Sequence, residues 1–221
     1  MKLYIALLAF LMPSLLCAND RTKSDSVRTS YKSGQYTSSA VAYTQCSLQE
    51  ADKVVEDLIS QFQGDPERLF DWAFKGLGEQ GGQSQRDEVL LVFKATTFDK
   101  MTGISCLLVD VIVSGTTLYK DVEIKSKVVK EQLPDGTIKV SVDIYYSNAL
   151  LKKASGTFFV IPLAADRVQQ KMVISVRFGW FFNLFITQKR YKSIIEWRLD
   201  GFVDNIRRES ERRHTKSLKS R

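Results

Sequence analysis

Residues 119 to 146 read YKDVEIKSKVVKEQLPDGTIKVSVDIYY, and their alternation decides the fold class. Val122, Ile124, Ser126 and Val128 fall on one side of a period of two, and Asp121, Glu123, Lys125 and Lys127 on the other, as in a strand with one dry and one wet face. Leu133-Pro134-Asp135-Gly136 then makes a turn, because Pro presets φ and Gly takes the positive-φ place. The returning strand sets Ile138, Val140, Val142, Ile144 and Tyr146 inward against Lys139, Ser141, Asp143 and Tyr145. A hairpin with one dry face predicts an antiparallel sheet that needs a second layer to cover it.

Working outward, Val89 to Phe98 and Ile104 to Val113 are apolar, β-branched runs joined by a turn at Asp99 to Gly103, and Thr157 to Ile161 and Val168 to Phe178 add two more strands, about six in all. Helices supply the cover. Ser47 and Glu50 form a capping-box signature ahead of Ala51, Val54, Val55, Leu58, Ile59 and Phe62 at helical spacing. Gly64 ends that helix, and Asp65-Pro66 opens a second with Leu69, Phe70, Ala73 and Leu77 as its stripe. A long closing helix, capped by Thr187 or Asn183, carries Tyr191, Ile195, Leu199, Phe202 and Ile206 on one face, widened by Ile194, Trp197 and Val203. Lys189, Lys192, Glu196, Asp200, Arg207 and Arg208 make the rest of it polar. The expected class is α+β: an antiparallel sheet of about six strands wrapped on a long C-terminal helix, with two short helices before the sheet.

Residues 1–18 read as a secretory signal, Lys2 followed by the apolar run Leu3 to Leu16, which is too short to span a membrane. Three fates follow: cleavage after Ala18, lipidation of Cys17, or retention as an anchor. The expected location is the bacterial periplasm or envelope. Residues 19–45, rich in Ser, Thr, Lys, Gly and Tyr without an apolar period, read as a flexible tether. Residues 46–206 form the domain and 207–221 a basic tail. The net charge of +7 sits mainly in that tail, with seven Lys or Arg against Glu209 and Glu211, while Cys46 to Ile206 is close to neutral. A fold without clustered phosphate-facing cations is not a nucleic-acid reader. The tail is a solvated helix end or, in the sharper reading, a peripheral contact with an anionic membrane or cell-wall surface.

The chemistry-bearing residues are sparse. The one histidine, His214, lies in the tail, which argues against histidine-based triads, and two scattered cysteines with it do not make zinc spacing. Cys46 and Cys106 either pair as a disulfide in an oxidising compartment or remain unpaired. Glu123, Asp143 and Asp110 read as solvated strand charges rather than an acid–base pair. Gly76, Gly78 and Gly81 match dinucleotide-fingerprint spacing but follow a helix and precede a strand, the reverse of the required order, so Gly76 to Gln85 is a loop, with a lid over a cavity mouth as its sharper reading. The run Phe178-Gly179-Trp180-Phe181-Phe182 is either an exposed contact or a packed strand-to-helix corner. No catalytic residue, metal ligand or cofactor site is assigned.

The hairpin around Pro134-Asp135-Gly136, the strand opened by Ser155-Gly156-Thr157, and the passage from Phe178-Gly179-Trp180 into the helix Tyr191 to Glu209 resemble the START/Bet v 1-like superfamily, with its polyketide-cyclase-like and lipid-transfer members, over Val109 to Glu209. A departure is the lack of a clear strand before the first helix. The resemblance implies a helix-grip fold whose cavity binds an apolar small molecule or lipid without catalysis. Tyr145, Trp180, Trp197 and Phe202 are the candidate lining residues, each an aromatic that buries area and orients a ligand; the competing reading makes them packed core. A structural or interaction module with a solid core is the alternative function, and a carboxylate-using hydrolase or cyclase a third.

Overall fold

A computed structural model describes residues 27–73, 75, 89–113, 116–147, 151–179 and 187–219. Eight strands form one antiparallel sheet: β1 (Arg28–Lys32), β2 (Gln35–Gln45), β3 (Val89–Asp99), β4 (Ile104–Val113), β5 (Thr116–Gln132), β6 (Ile138–Ser147), β7 (Leu151–Ala164) and β8 (Arg167–Phe178). Their order across the sheet is β1-β2-β8-β7-β6-β5-β4-β3. From β3 to β8 each strand pairs with the next, while β2 reaches across to β8.

The β5–β6 hairpin forms with the expected alternation, Val122, Ile124 and Ser126 buried and Asp121 and Lys127 exposed. Its turn is closed by the Leu133 N–H donating to Thr137 O at 2.8 Å and the Gly136 N–H to Leu133 O at 2.9 Å, with Gly136 at φ +83. Asp135 Oδ1 accepts from the Thr137 N–H at 2.9 Å, as an aspartate beside a turn glycine does.

Two helices cover the sheet. In α1 (Leu48–Gly64) both arms of the capping box are made, Ser47 Oγ accepting from the Glu50 N–H and Glu50 accepting from the Ser47 N–H. The predicted second helix is instead a six-residue 3-10 turn, Pro66–Asp71, in which Asp65 makes no side-chain cap bond; Leu69 and Ala73 are buried and Leu77 lies outside the described residues. The closing helix α2 (Gln188–Lys219) begins with the Tyr191 N–H donating to Thr187 O. Tyr191, Ile195, Leu199, Phe202, Val203 and Ile206 are all buried. Each such side chain contributes about 1.5–3 kcal/mol on burial, so this stripe holds the layers together. Glu196, expected on the polar side, is buried too, 3.9 Å from Lys192 Nζ.

Two boundaries drawn from composition are corrected. Most of the expected tether is β1 and β2, joined by a two-residue turn with both φ positive, Ser33 at 53 and Gly34 at 79. The inner face of β2 is Tyr36, Ser38, Ala40, Ala42 and Thr44, small apart from the tyrosine, which lets α2 lie closer to β2 than to any other strand. The low hydropathy that suggested disorder is a shallow groove for a helix. Within the expected tail, α2 continues to Lys219 because its cations are paired: Arg207 with Asp204 and Glu211, Arg208 with Asp204, Arg212 with Glu209, and Arg213 with Glu209 and with Asp57 of α1. The segment 1–26, on which the expected export signal falls, lies outside the described residues.

Candidate functional site

Three neighbouring strands carry irregularities at one level of the sheet. The β3–β4 register shifts between Phe93 and Ala95, and the β4–β5 register between Val109 and Val111. Bulges bend a strand and increase its twist. Lys94, Asp110 and Asp121, the residues displaced there, bond to one another: Lys94 Nζ lies 2.5 Å from Asp121 Oδ1 and 3.5 Å from Asp110 Oδ1, and the Asp121 N–H donates to Asp110 at 2.8 Å. Asp121 has φ 54, in the left-handed region. Asp110 is therefore a structural tie.

Reading across the sheet, Phe98, Ser105, Ser126, Ile144, Ala154, Val176 and Tyr36 are successive partners in one transverse row. At the β2 end of the row Tyr36 meets Tyr191 of α2, ring centroids 4.1 Å apart, and Phe178 joins them at 6.0 and 5.7 Å. Burial raises the Tyr191 phenol well above its ordinary value; Ser38 lies close enough to oppose this slightly, yet Tyr191 Oη meets no partner in hydrogen-bond geometry. At the other end, Ser105 and Ser126 are buried and their hydroxyls have no hydrogen-bond partner, nor has Thr96 Oγ1 on β3. The helices are not spread evenly over this surface. α2 lies against β2, β8 and β1, and α1 against β7, β8 and β3, with Lys130 of β5 ion-paired to Asp52 and Glu56 of α1.

Of the four aromatics expected to line a cavity, three lie among the described residues. Phe202 is buried, 3 % exposed, packed edge-on to Phe158 of β7 with centroids 6.3 Å apart. Trp197 is half-buried against the core. Tyr145 is corrected: it is 53 % exposed, on the outer side of β6 where the strand's alternation puts it, and it is the extra residue where the β5–β6 register shifts. Trp180 lies outside the described residues, as do Phe181, Phe182 and the loop 76–88. The interior hydroxyls were legible in part, since Ser126 occupies an otherwise apolar inner position of the opening hairpin. Ser105 was hidden inside an apolar run.

Cys46 and Cys106 are free thiols on strands separated by four others in the sheet order, at the end of β2 and on β4. Burial pushes the Cys46 thiol up to about 12, with Glu50 and Glu211 adding to it, so it is no nucleophile. Cys106 Sγ donates to Glu123 Oε1 at 3.2 Å, and Lys125 pairs with the same carboxylate at 3.1 Å. His214 is held rather than loose: its Nδ1 is 2.7 Å from Glu50 Oε2, joining α2 to the start of α1. Burial acts to raise the Glu50 pKa, but bonds from the Ser47 N–H, His214, Ser47 Oγ and Ser217 hold it down to about 2. Among the described residues no group of three or more His, Cys, Asp or Glu is placed to hold a metal ion.

The strand before the first helix, absent from the sequence reading, is β2; it pairs with β8, the strand leading to the closing helix, and α2 packs on both. The arrangement is that of a helix grip, an antiparallel sheet with a long C-terminal helix packed on it. Solved structures resembling this helix grip include the Zhui aromatase/cyclase from Streptomyces sp. R1128 (TM-score 0.46, 13 % identity, covering 81 % of this chain and 95 % of that one). A START superfamily protein from Mycobacterium smegmatis has TM-score 0.42 and 14 % identity, covering 81 % and 97 %. Norcoclaurine synthase from Thalictrum flavum has TM-score 0.44 and 14 % identity, covering 85 % and 98 %. No protein-family model and no curated protein matches the sequence.

Proposed function

We propose that this helix grip is an exported, non-enzymatic protein of the bacterial envelope that binds an apolar small molecule or lipid between its sheet and α2. The observation that carries the reading is a long helix seated chiefly on β2 while the apolar inner face of the sheet extends well beyond that strand. Leu107, Ile124 and Ile144 continue this face on β4, β5 and β6. An extended apolar face under a single long helix suits an apolar ligand. Export rests on the segment Met1 to Ala18, with signal cleavage or lipid attachment at Cys17 as its two main fates. On α2, any contact with an anionic surface falls to Lys216 and Lys219, its last basic side chains.

Native mass spectrometry of the protein purified from an envelope fraction, followed by organic extraction, tests the reading. A stoichiometric apolar molecule is the expected result. A clean, empty mass from a protein that also takes up no added lipid would refute it in favour of an interaction module with a solid core, the packing that Phe202 and Phe158 show on the β7 side.

A further inference from the structure

The four neighbouring strands β1, β2, β8 and β7 contain seven Lys or Arg and no Asp or Glu. Alternation puts the cations on the outer side of the sheet: Arg167, Lys171 and Arg177 of β8 interleave with the buried Val168, Met172 and Val176. Four of the seven stand together at one end. Lys153 is directly opposite Arg177, with Lys152 the extra residue of the bulge beside it, and Lys32 pairs with Gln35 one step beyond the Tyr36–Val176 pair, on the level of Arg177. All four are exposed, and none of the seven makes an ion pair among the described residues. Arg167 instead lies over the Tyr43 ring, 5.4 Å from its centroid. Cations elsewhere are neutralised: Lys125, Lys130 and Lys139 on β5 and β6 each meet a carboxylate, as do the arginines of α2 from Arg207 onward. A domain that sums to nearly zero charge therefore presents its unpaired positive charge on one side, because its acids are taken up in pairs with α1, α2 and the far strands.

We infer that the outer face of β1, β2, β8 and β7 docks this protein on an anionic lipid bilayer. The cations spread over three strand spacings across and ten residues along, roughly 14 Å by 33 Å, an area rather than a line. Such a spread suits a plane of charged headgroups, whereas a single-stranded polyanion is tracked along one groove. Tyr43 and Tyr145, 55 % and 53 % exposed, stand outward on β2 and on the adjoining β6, and tyrosine favours the headgroup level of a bilayer. Outward residues between the cations are short, Ser39, Thr157 and Ser175 among them, so the long Lys and Arg side chains stand clear of them. The surface lies on the opposite side of the sheet from α2 and stands independently of the apolar-ligand reading.

The test uses the full chain purified from an envelope fraction, mixed with vesicles of phosphatidylcholine alone or of equimolar phosphatidylcholine and phosphatidylglycerol. Lysine acylation read by mass spectrometry shows which face meets the bilayer, whether or not the N-terminal segment already holds the chain to the vesicle. Lys153 and Lys171 react about five-fold or more slowly on the anionic vesicles than on phosphatidylcholine, and the protection disappears in about 1 M salt. In the triple variant Lys32→Gln, Lys153→Gln and Arg177→Gln, checked for folding by near-ultraviolet circular dichroism, Lys171 reacts within about two-fold of its phosphatidylcholine rate, since each cation near the surface contributes about five-fold. Equal rates on the two vesicles in the wild type would overturn the docking surface and leave the apolar-ligand reading untouched. Protection at Lys216 and Lys219 instead would return the contact to the end of α2. Protection of Lys171 that survives in the triple variant would overturn the assignment to this row, and stronger protection by dextran sulfate than by the vesicles, at equal anionic charge, would overturn the bilayer as the partner.

Discussion

Replacing Glu50 with Gln tests the joint between the two helices. Glu50 accepts from the Ser47 N–H at 3.0 Å in the capping box and faces His214 Nδ1 at 2.7 Å. Gln keeps the shape and a carbonyl for Ser47, so the variant removes mainly the charge. The folded carboxyl stands at about 2 against an ordinary 4.5. Taken at face value this is about 3 kcal/mol, at about 1.4 kcal/mol per pKa unit. The side chain keeps 15 % exposure, and solvent screening reduces the expected loss to about 2 kcal/mol. Because the folded pKa is depressed, the contribution is complete above the unfolded value and is lost as pH falls through the folded one. Urea denaturation of wild type and Glu50→Gln at about pH 6 should differ by about 2 kcal/mol, and the gap should shrink to less than about half by pH 3. A gap below about 0.5 kcal/mol at the higher pH, or one that stays constant across the window, would refute the reasoning.

Ser33→Asn places the preferred residue at the first positive-φ position of the β1–β2 turn and should raise the thermal midpoint by about 1–3 °C; a fall would show that the hairpin is not held by this turn. Tyr191→Phe removes a buried hydroxyl that has no bond, so calorimetry should find stability unchanged or raised by up to about 1 kcal/mol, whereas a loss above about 1 kcal/mol would mean the phenol bonds something. Leu199→Ala, at a fully buried position of α2, should cost about 2–5 kcal/mol in chemical denaturation, and a loss under about 1 kcal/mol would mean that α2 is not seated on the sheet.

The sequence by itself determined what depends on neighbours along the chain. The hairpin at Pro134-Asp135-Gly136, the capping box at Ser47 and Glu50, and the stripe Tyr191, Ile195, Leu199, Phe202 and Ile206 all stand as read, since a turn, a cap or a helical face is written within a few residues. The Ser33-Gly34 turn was legible by the same logic, but the strands around it carry no apolar period to draw attention to it. Tertiary structure decided the rest. β2 is a strand because α2 and β8 complete it, and its small inner residues have meaning only under a helix from the far end of the chain. His214 and Arg213 became fixed groups once their helix met Glu50 and Asp57, about 160 residues away in sequence. Tyr145, by contrast, falls outside the candidate site because it lies on the outward side of the alternation of β6, next to the buried Ile144, a facing already legible in the hairpin. Ser105 and Ser126 became a pair only by strand register, a contact that no local pattern contains.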